Sequence, residues 1–277
     1  MASTGLGGGG FALVRRPNGS YDNVDFREAA PAAATEDMFE APGASSLLSG
    51  LARSVPSSRD IPRLTILSGI PGELRGLEYL FKHYASKSWE NLIRPSIHLA
   101  QYGFPVTEDL LYIFSVHSTD FLVHNPDWSV DFAPNGTLVG LGDTLTRKRY
   151  AELLRRIAKE GPDVFYTGDI AEATIAALQA ANGIMTVQDL ENYTVTTRTP
   201  LEISYKDYKI TSCGAPSSGA VVLNVMKTIE GYENIGNPAY VNITTHRLDE
   251  AIRFGYGAVS LPQCHSFSRL TTSRELS

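Results

Sequence analysis

Asp25-Phe26-Arg27-Glu28-Ala29-Ala30-Pro31 closes a β-rich segment that starts at Tyr21, so an arginine stands where a strand ends. A guanidinium in that place can hold a carboxylate through two parallel hydrogen bonds, a geometry lysine cannot supply. Arg27 is therefore a candidate clamp for a substrate carboxylate. The competing reading is a surface arginine paired with Glu28 or Asp25, an arrangement that contributes little free energy.

Upstream, Phe11 to Arg16 is a partner strand, joined through Pro17-Asn18-Gly19-Ser20, whose Asn-Gly pair tolerates the positive φ of a tight hairpin turn. Gly5-Leu6-Gly7-Gly8-Gly9-Gly10 precedes that strand and formally matches G-x-G-x-x-G. The match signals a dinucleotide only between a strand and a helix, and here it leads into a strand. The glycines instead let the backbone pass close to other groups. Downstream, Ala32 to Leu67 has no sustained period and reads as loop.

Helices follow. Pro71-Gly72-Glu73 opens a pattern with Leu74, Leu77, Leu80 and Phe81 on one face, and Trp89, Leu92, Ile93, Ile97 and Ala100 form a second such face that stops at Gly103. Thr107 to Leu122 reads as a third helix. Thr146 to Lys159 puts Leu153, Leu154, Ile157 and Ala158 inside and its basic residues outside, with Gly161-Pro162 as the break. Ile170 to Ala181 is next, and Thr186-Val187-Gln188-Asp189 has the form of a capping box. Leu201 to Tyr205 and Tyr208 to Ser212 alternate around Lys206-Asp207 as a second hairpin. Ser217 to Ile229 and Val241 to Tyr256 are the last helices, the latter carrying Leu248, Ala251, Ile252 and Phe254. Mixed hairpins and helices without a repeat point to a layered α+β architecture.

With 277 residues, 43% of them hydrophobic, the chain can build one large domain or two modest ones. Net charge is −6, and the basic clusters Arg147-Lys148-Arg149 and Arg155-Arg156 belong on the solvated face of a helix, so nucleic acid is not an expected partner. Cys213 and Cys264 cannot form a disulfide framework. His83, His98, His117, His124, His246 and His265 show no paired ligand spacing, and CxxC is missing, so no metal site is expected. G-x-S-x-G is missing too. Thr244-Thr245-His246 and Thr271-Thr272-Ser273 are considered because a threonine freed as an N-terminus can attack with its own amine as base. The alternative for Asn242 to His246 is an ordinary first helical turn. Pro216-Ser217-Ser218-Gly219 by itself is a turn and helix cap. Sequons at Asn18, Asn135, Asn192 and Asn242 lean toward a secretory route, although no signal peptide or long apolar run is present.

Taken together, the segments resemble the large-subunit region of γ-glutamyltransferases, or glutathione hydrolases, and the fungal type in particular. Ser3-Thr4-Gly5-Leu6-Gly7-Gly8-Gly9-Gly10-Phe11 is similar to the family's glycine-rich lead into its first strand, and Asp25 to Pro31 to its arginine motif. Gly69-Ile70-Pro71-Gly72-Glu73-Leu74-Arg75-Gly76-Leu77, Gly103 to Thr107, Gly161 to Gly168, Gly183 to Thr186 and Pro216 to Gly219 follow in family order. The resemblance implies part of the αββα sandwich of N-terminal nucleophile hydrolases, cut by itself from a precursor into large and small subunits. It also implies a nucleophilic threonine at the new N-terminus, which takes the γ-glutamyl group of glutathione and passes it to water or an amino acid. No cofactor or metal is implied, and Arg27 occupies the position that holds the glutamyl α-carboxylate. An extracellular, cell-surface or vacuolar location goes with the family.

The expected family region is 1–257, with 53–67 an atypical insertion and 258–277 a tail unlike the family; both are expected to be gene-model errors. Ala220 replaces a usual second glycine. Thr244 and Thr245 fall in a helix that the family places well before its cleavage point, so neither is assigned as catalytic. The family's nucleophile and oxyanion donors lie further on, so this piece alone is expected to be inactive. Two other readings remain: a noncatalytic module that captures γ-glutamyl peptides through Arg27, and a related self-cleaving acylase acting on another amide, which the Asp25 to Pro31 motif disfavours.

Overall fold

The computed structural model describes residues 5–35, 38, 68–116 and 119–259. The expectations about Arg53 to Leu67, most of the loop reading of Ala32 to Leu67, the tail from residue 260, and His117, Cys264, His265, Thr271 and Thr272 lie outside the described residues. In chain order the elements are β1 (Phe11–Arg15), β2 (Tyr21–Asp25), α1 (Glu73–Tyr84), α2 (Trp89–Tyr102), β3 (Phe104–Pro105), α3 (Glu108–Val116), α4 (Asp120–His124) and α5 (Pro126–Phe132). They continue with β4 (Thr144–Leu145), α6 (Lys148–Glu160), α7 (Asp163–Tyr166), α8 (Gly168–Ala180), α9 (Val187–Glu191), β5 (Thr196–Arg198), β6 (Leu201–Tyr205), β7 (Tyr208–Ser212), α10 (Gly219–Glu230) and α11 (Val241–Val259). The architecture is α+β. Two compact units divide it: one holds the residues up to Gly10 with Phe26–Thr194, the other Phe11–Asp25 with everything from Val195.

In the first unit, Ile70, Leu74, Ile157, Tyr166, Met185 and Leu190 form the main core, drawn from α1, α6, α7, α9 and their connections. Helix α2 lies against α6 through Ala100, Ala151 and Leu154, with Ile93 and Ile97 beside them. Val106, Val139 and Leu145 gather a separate cluster under α3. The capping box is formed as read: the Thr186 hydroxyl accepts from the Asp189 N–H while the Asp189 carboxylate accepts from the Thr186 N–H.

The second unit contains an antiparallel sheet in the order β1-β2-β5, with Phe11 opposite Asp25 and Asn23 opposite Arg198. The β6-β7 hairpin pairs Leu201 with Ser212 around a turn in which Lys206 takes a φ of 51°. Helices α10 and α11 pack through Val221, Val225 and Ala251.

Several sequence expectations need correction. Thr107 to Leu122 is not one helix: α3 ends at Val116 and α4 begins at Asp120, an acidic residue suited to a helix N-terminus. Leu77 and Leu92 are exposed rather than core. So are Leu248, Ile252 and Phe254, while Ala251 and Gly255 face α10. In the first hairpin only Gly19 adopts positive φ, at 85°. Asn18 contributes through its side chain instead, accepting from the Ser20 N–H at 3.0 Å.

Candidate functional site

Arg27 follows β2 directly, and the backbone around it is tied from several directions. Phe26 and Gly10 exchange both backbone hydrogen bonds, at 2.9 and 3.2 Å. The neighbouring Gly9 runs so close that any side chain there would strike the Phe26 carbonyl, which is why glycines lead into this strand. Ala29 and Ile70 form an antiparallel bridge. The Gly8 carbonyl accepts from the N–H groups of Gly72 and Glu73, each at 2.9 Å, and so satisfies the exposed amides at the start of α1.

Two residues beyond α8 complete the frame. Tyr193, almost fully buried, donates its hydroxyl to the Arg27 carbonyl at 2.8 Å. Asp189 accepts from the Ala32 N–H at 2.9 Å in addition to capping its own helix. Tyr166 stacks on Tyr193 and donates its hydroxyl to the Pro71 carbonyl at 3.0 Å, while accepting from the Arg75 N–H at 3.2 Å. Burial pushes the Tyr166 phenol up, so it stays neutral and able to donate. Burial works against the Asp189 charge, but the amides of Ala32 and Thr186 and the Thr186 hydroxyl hold its carboxyl below the usual carboxylate range.

The Arg27 side chain is 58% exposed and its Nη1 donates to Glu28 Oε2 at 2.6 Å. The buried Asp25 carboxylate accepts from Arg198 Nε at 2.6 Å. Near Glu28, the Glu73 carboxyl is pushed up by burial first and by the Glu28 charge second. The arrangement is a half-exposed guanidinium on a fixed backbone, held by a carboxylate that another carboxylate could replace.

Thr244 and Thr245 lie within the continuous helix α11, where their nitrogens are peptide nitrogens; the Thr245 hydroxyl donates to the Val241 carbonyl at 2.8 Å. Ser217 Oγ accepts from the Gly219 N–H at 3.3 Å, and Ser218 precedes α10, which fits a turn and helix start. Burial and the nearby Asp25 charge push the Cys213 thiol up, away from a reactive thiolate. An open cleft of about 430 Å³ lined by residues including Trp128, Asp131, Arg147 and Tyr150 contains no residue of the Arg27 loop. Among the described residues no helix is long and apolar enough to cross a membrane.

Sequence reading missed Tyr193 and the long reach of Asp189. Tyr193 sits inside a sequon, which drew attention to Asn192, and Asp189 carries a local signal only as a cap. The frame is testable: Asp189→Ala is expected to cost about 1–2 kcal/mol at neutral pH, from the lost cap and the lost Ala32 bond. Because the folded carboxyl titrates below its unfolded value, this contribution is present above the unfolded pKa and lost as pH falls through the folded one. Urea midpoints of wild type and variant should therefore converge in acid; a difference that persists there would place the effect elsewhere.

The family model of gamma-glutamyltranspeptidase matches residues 1–268. The chain is 49% identical over 260 residues to a glutathione hydrolase proenzyme of Arthroderma benhamiae, covering 93% of this chain and 42% of that protein. It is 43% identical to a glutathione hydrolase of Aspergillus flavus, over 93% of this chain and 41% of the relative. The chain thus spans about two fifths of the length of these curated relatives. Among solved structures, the gamma-glutamyltranspeptidase of Helicobacter pylori superposes with a TM-score of 0.79 at 27% identity, over all of this chain and 82% of that one. The CapD transpeptidase of Bacillus anthracis shares the fold, with a TM-score of 0.75 at 23% identity, over 99% of this chain and 82% of that one. The fold is accordingly that of the N-terminal nucleophile hydrolases, and the chain belongs to the gamma-glutamyltranspeptidase family.

Proposed function

We propose that this chain supplies the donor-recognition part of a γ-glutamyl hydrolase or transferase, with Arg27 holding the α-carboxylate of glutathione or another γ-glutamyl peptide. The observation that carries this reading is the Arg27 guanidinium, 58% exposed on a backbone fixed by Gly10, Ile70 and Tyr193. Its pair with Glu28 is worth roughly 0–1 kcal/mol at such exposure, while each of the two charge-assisted hydrogen bonds of a bidentate grip on a substrate carboxylate is worth roughly 1.5–3 kcal/mol. The incoming carboxylate therefore wins the exchange. The names of the similar fungal proteins, glutathione hydrolases, support the choice of donor.

The nucleophile in this reading is a threonine freed as an N-terminus in the small subunit of a common precursor. Neither Thr244 nor Thr245 fits, since a residue inside a helix has no free amine to act as its own base. The chain by itself is therefore expected to release no chromophore from a γ-glutamyl anilide, and turnover above background would overturn this division of labour. Saturating, turnover-free binding of glutathione in a calorimeter, abolished by Arg27→Ala, would instead mark a noncatalytic γ-glutamyl-binding module. A secretory, cell-surface or vacuolar destination is part of the same reading and rests on the sequons.

A further inference from the structure

Two backbone pairs hold the Arg27 loop at its ends, Phe26 with Gly10 and Ala29 with Ile70, and the peptide joining Arg27 to Glu28 lies between them. A peptide unit is planar, so fixing its carbonyl fixes one of the two soft dihedrals at Arg27 and with it the direction in which the side chain leaves the backbone. Tyr193 supplies that hold from 166 residues away, its hydroxyl donating to the Arg27 carbonyl at 2.8 Å.

The ring and the hydroxyl of Tyr193 serve different neighbours. The ring is buried and stacks on Tyr166, with centroids 6.3 Å apart and planes 11° from parallel. The hydroxyl leaves the core at the start of α1, where Gly72 makes room for it. A Cβ on Gly72 would lie 2.2 Å from Tyr193 Oη and 2.0 Å from the Phe26 carbonyl oxygen. Gly72 has φ −110° and ψ −16°, a conformation open to residues with side chains. Space, not backbone conformation, therefore demands the glycine, and the hydroxyl fills part of that space. A phenylalanine would pack the core as well as Tyr193 does. What the oxygen adds is a bond to an exposed residue whose side chain ends in the guanidinium.

We propose that Tyr193 is a positioning residue for the γ-glutamyl donor: by holding the Arg27 carbonyl, its hydroxyl aims the guanidinium so that two parallel hydrogen bonds reach the donor α-carboxylate. The inference rests on the reading of Arg27 as the donor clamp. A bidentate grip needs direction as well as charge, so slack in the Arg27 backbone weakens donor binding before it touches the chemical step.

The test uses a form of the protein that carries its nucleophile. Tyr193→Phe is expected to raise KM for a γ-glutamyl anilide roughly 3- to 10-fold, the equivalent of one neutral hydrogen bond, with kcat within about twofold of wild type. In an Arg27→Ala background the same change should leave kcat/KM unaltered, because no guanidinium is left to aim. Incorporating 4-aminophenylalanine at position 193 keeps the ring, restores an N–H donor and should recover most of the lost affinity. A wild-type KM for Tyr193→Phe, when Arg27→Lys raises KM, overturns the positioning role and leaves the clamp standing. A wild-type KM in both variants removes the clamp and the role together. An equal loss with and without Arg27 overturns the proposal, as does a phenylalanine variant that circular dichroism shows to be unfolded, since the hydroxyl would then be a prop of the core.

Discussion

Tyr166→Ala is expected to remove about 3–5 kcal/mol of stability, a large share of what holds an ordinary domain together. Tyr166 is completely buried at the centre of the first unit's core, in contact with the layer that carries Arg27. Its ring stacks on Tyr193 and lies under the Arg75 guanidinium at 4.3 Å, while its hydroxyl bonds Pro71 and Arg75. Truncation therefore leaves a cavity and two unpaired backbone groups together. Tyr166→Phe separates the terms: it keeps the ring and is expected to cost about 1–3 kcal/mol for the unsatisfied partners. Urea unfolding followed by tryptophan fluorescence reports on the right place, because Trp89 packs on this core and donates to the Ile157 carbonyl at 2.9 Å. An alanine variant within about 1 kcal/mol of wild type would mean that the ring does not support the layer.

The hairpins, the capping box and the stop at Gly161 were legible because each depends on a few neighbouring residues: alternation in β6 and β7, the Thr186 and Asp189 pair, and a helix end at φ 94°. The buried faces of α1 and α11 were less legible, and the cause is the same in both. At Gly76 the helix presses against the Phe26 ring, and at Gly255 it meets Val221, so the closest contacts are made by residues with no side chain to count. A pattern built on large apolar residues therefore turned the stripe toward Leu77 and Phe254, which the fold leaves exposed. Arg27 could be singled out by its chemistry and its place after β2. The groups that fix it could not, since Tyr193 lies 166 residues away in sequence and no local rule joins them.

Arg27→Lys, in a form of the protein that carries its nucleophile, is expected to raise KM for a γ-glutamyl donor roughly 10–150-fold, with a smaller change in kcat. The estimate follows from losing one of two charge-assisted hydrogen bonds to the donor carboxylate, about 1.5–3 kcal/mol. Lysine keeps the charge but offers a point contact in place of a planar fork, so attraction persists while orientation is lost. Stability should be nearly unchanged, because the side chain is 58% exposed and its Glu28 pair is weak. That contrast is the diagnostic feature: a residue that serves only the fold would shift the urea midpoint and leave KM alone. Arg27→Ala should go further, since the carboxylate then meets Glu28 with no cation between them. If KM for the lysine variant matches wild type, the donor is gripped elsewhere, and the bonds from Gly10 and Tyr193 support a surface arginine and nothing more.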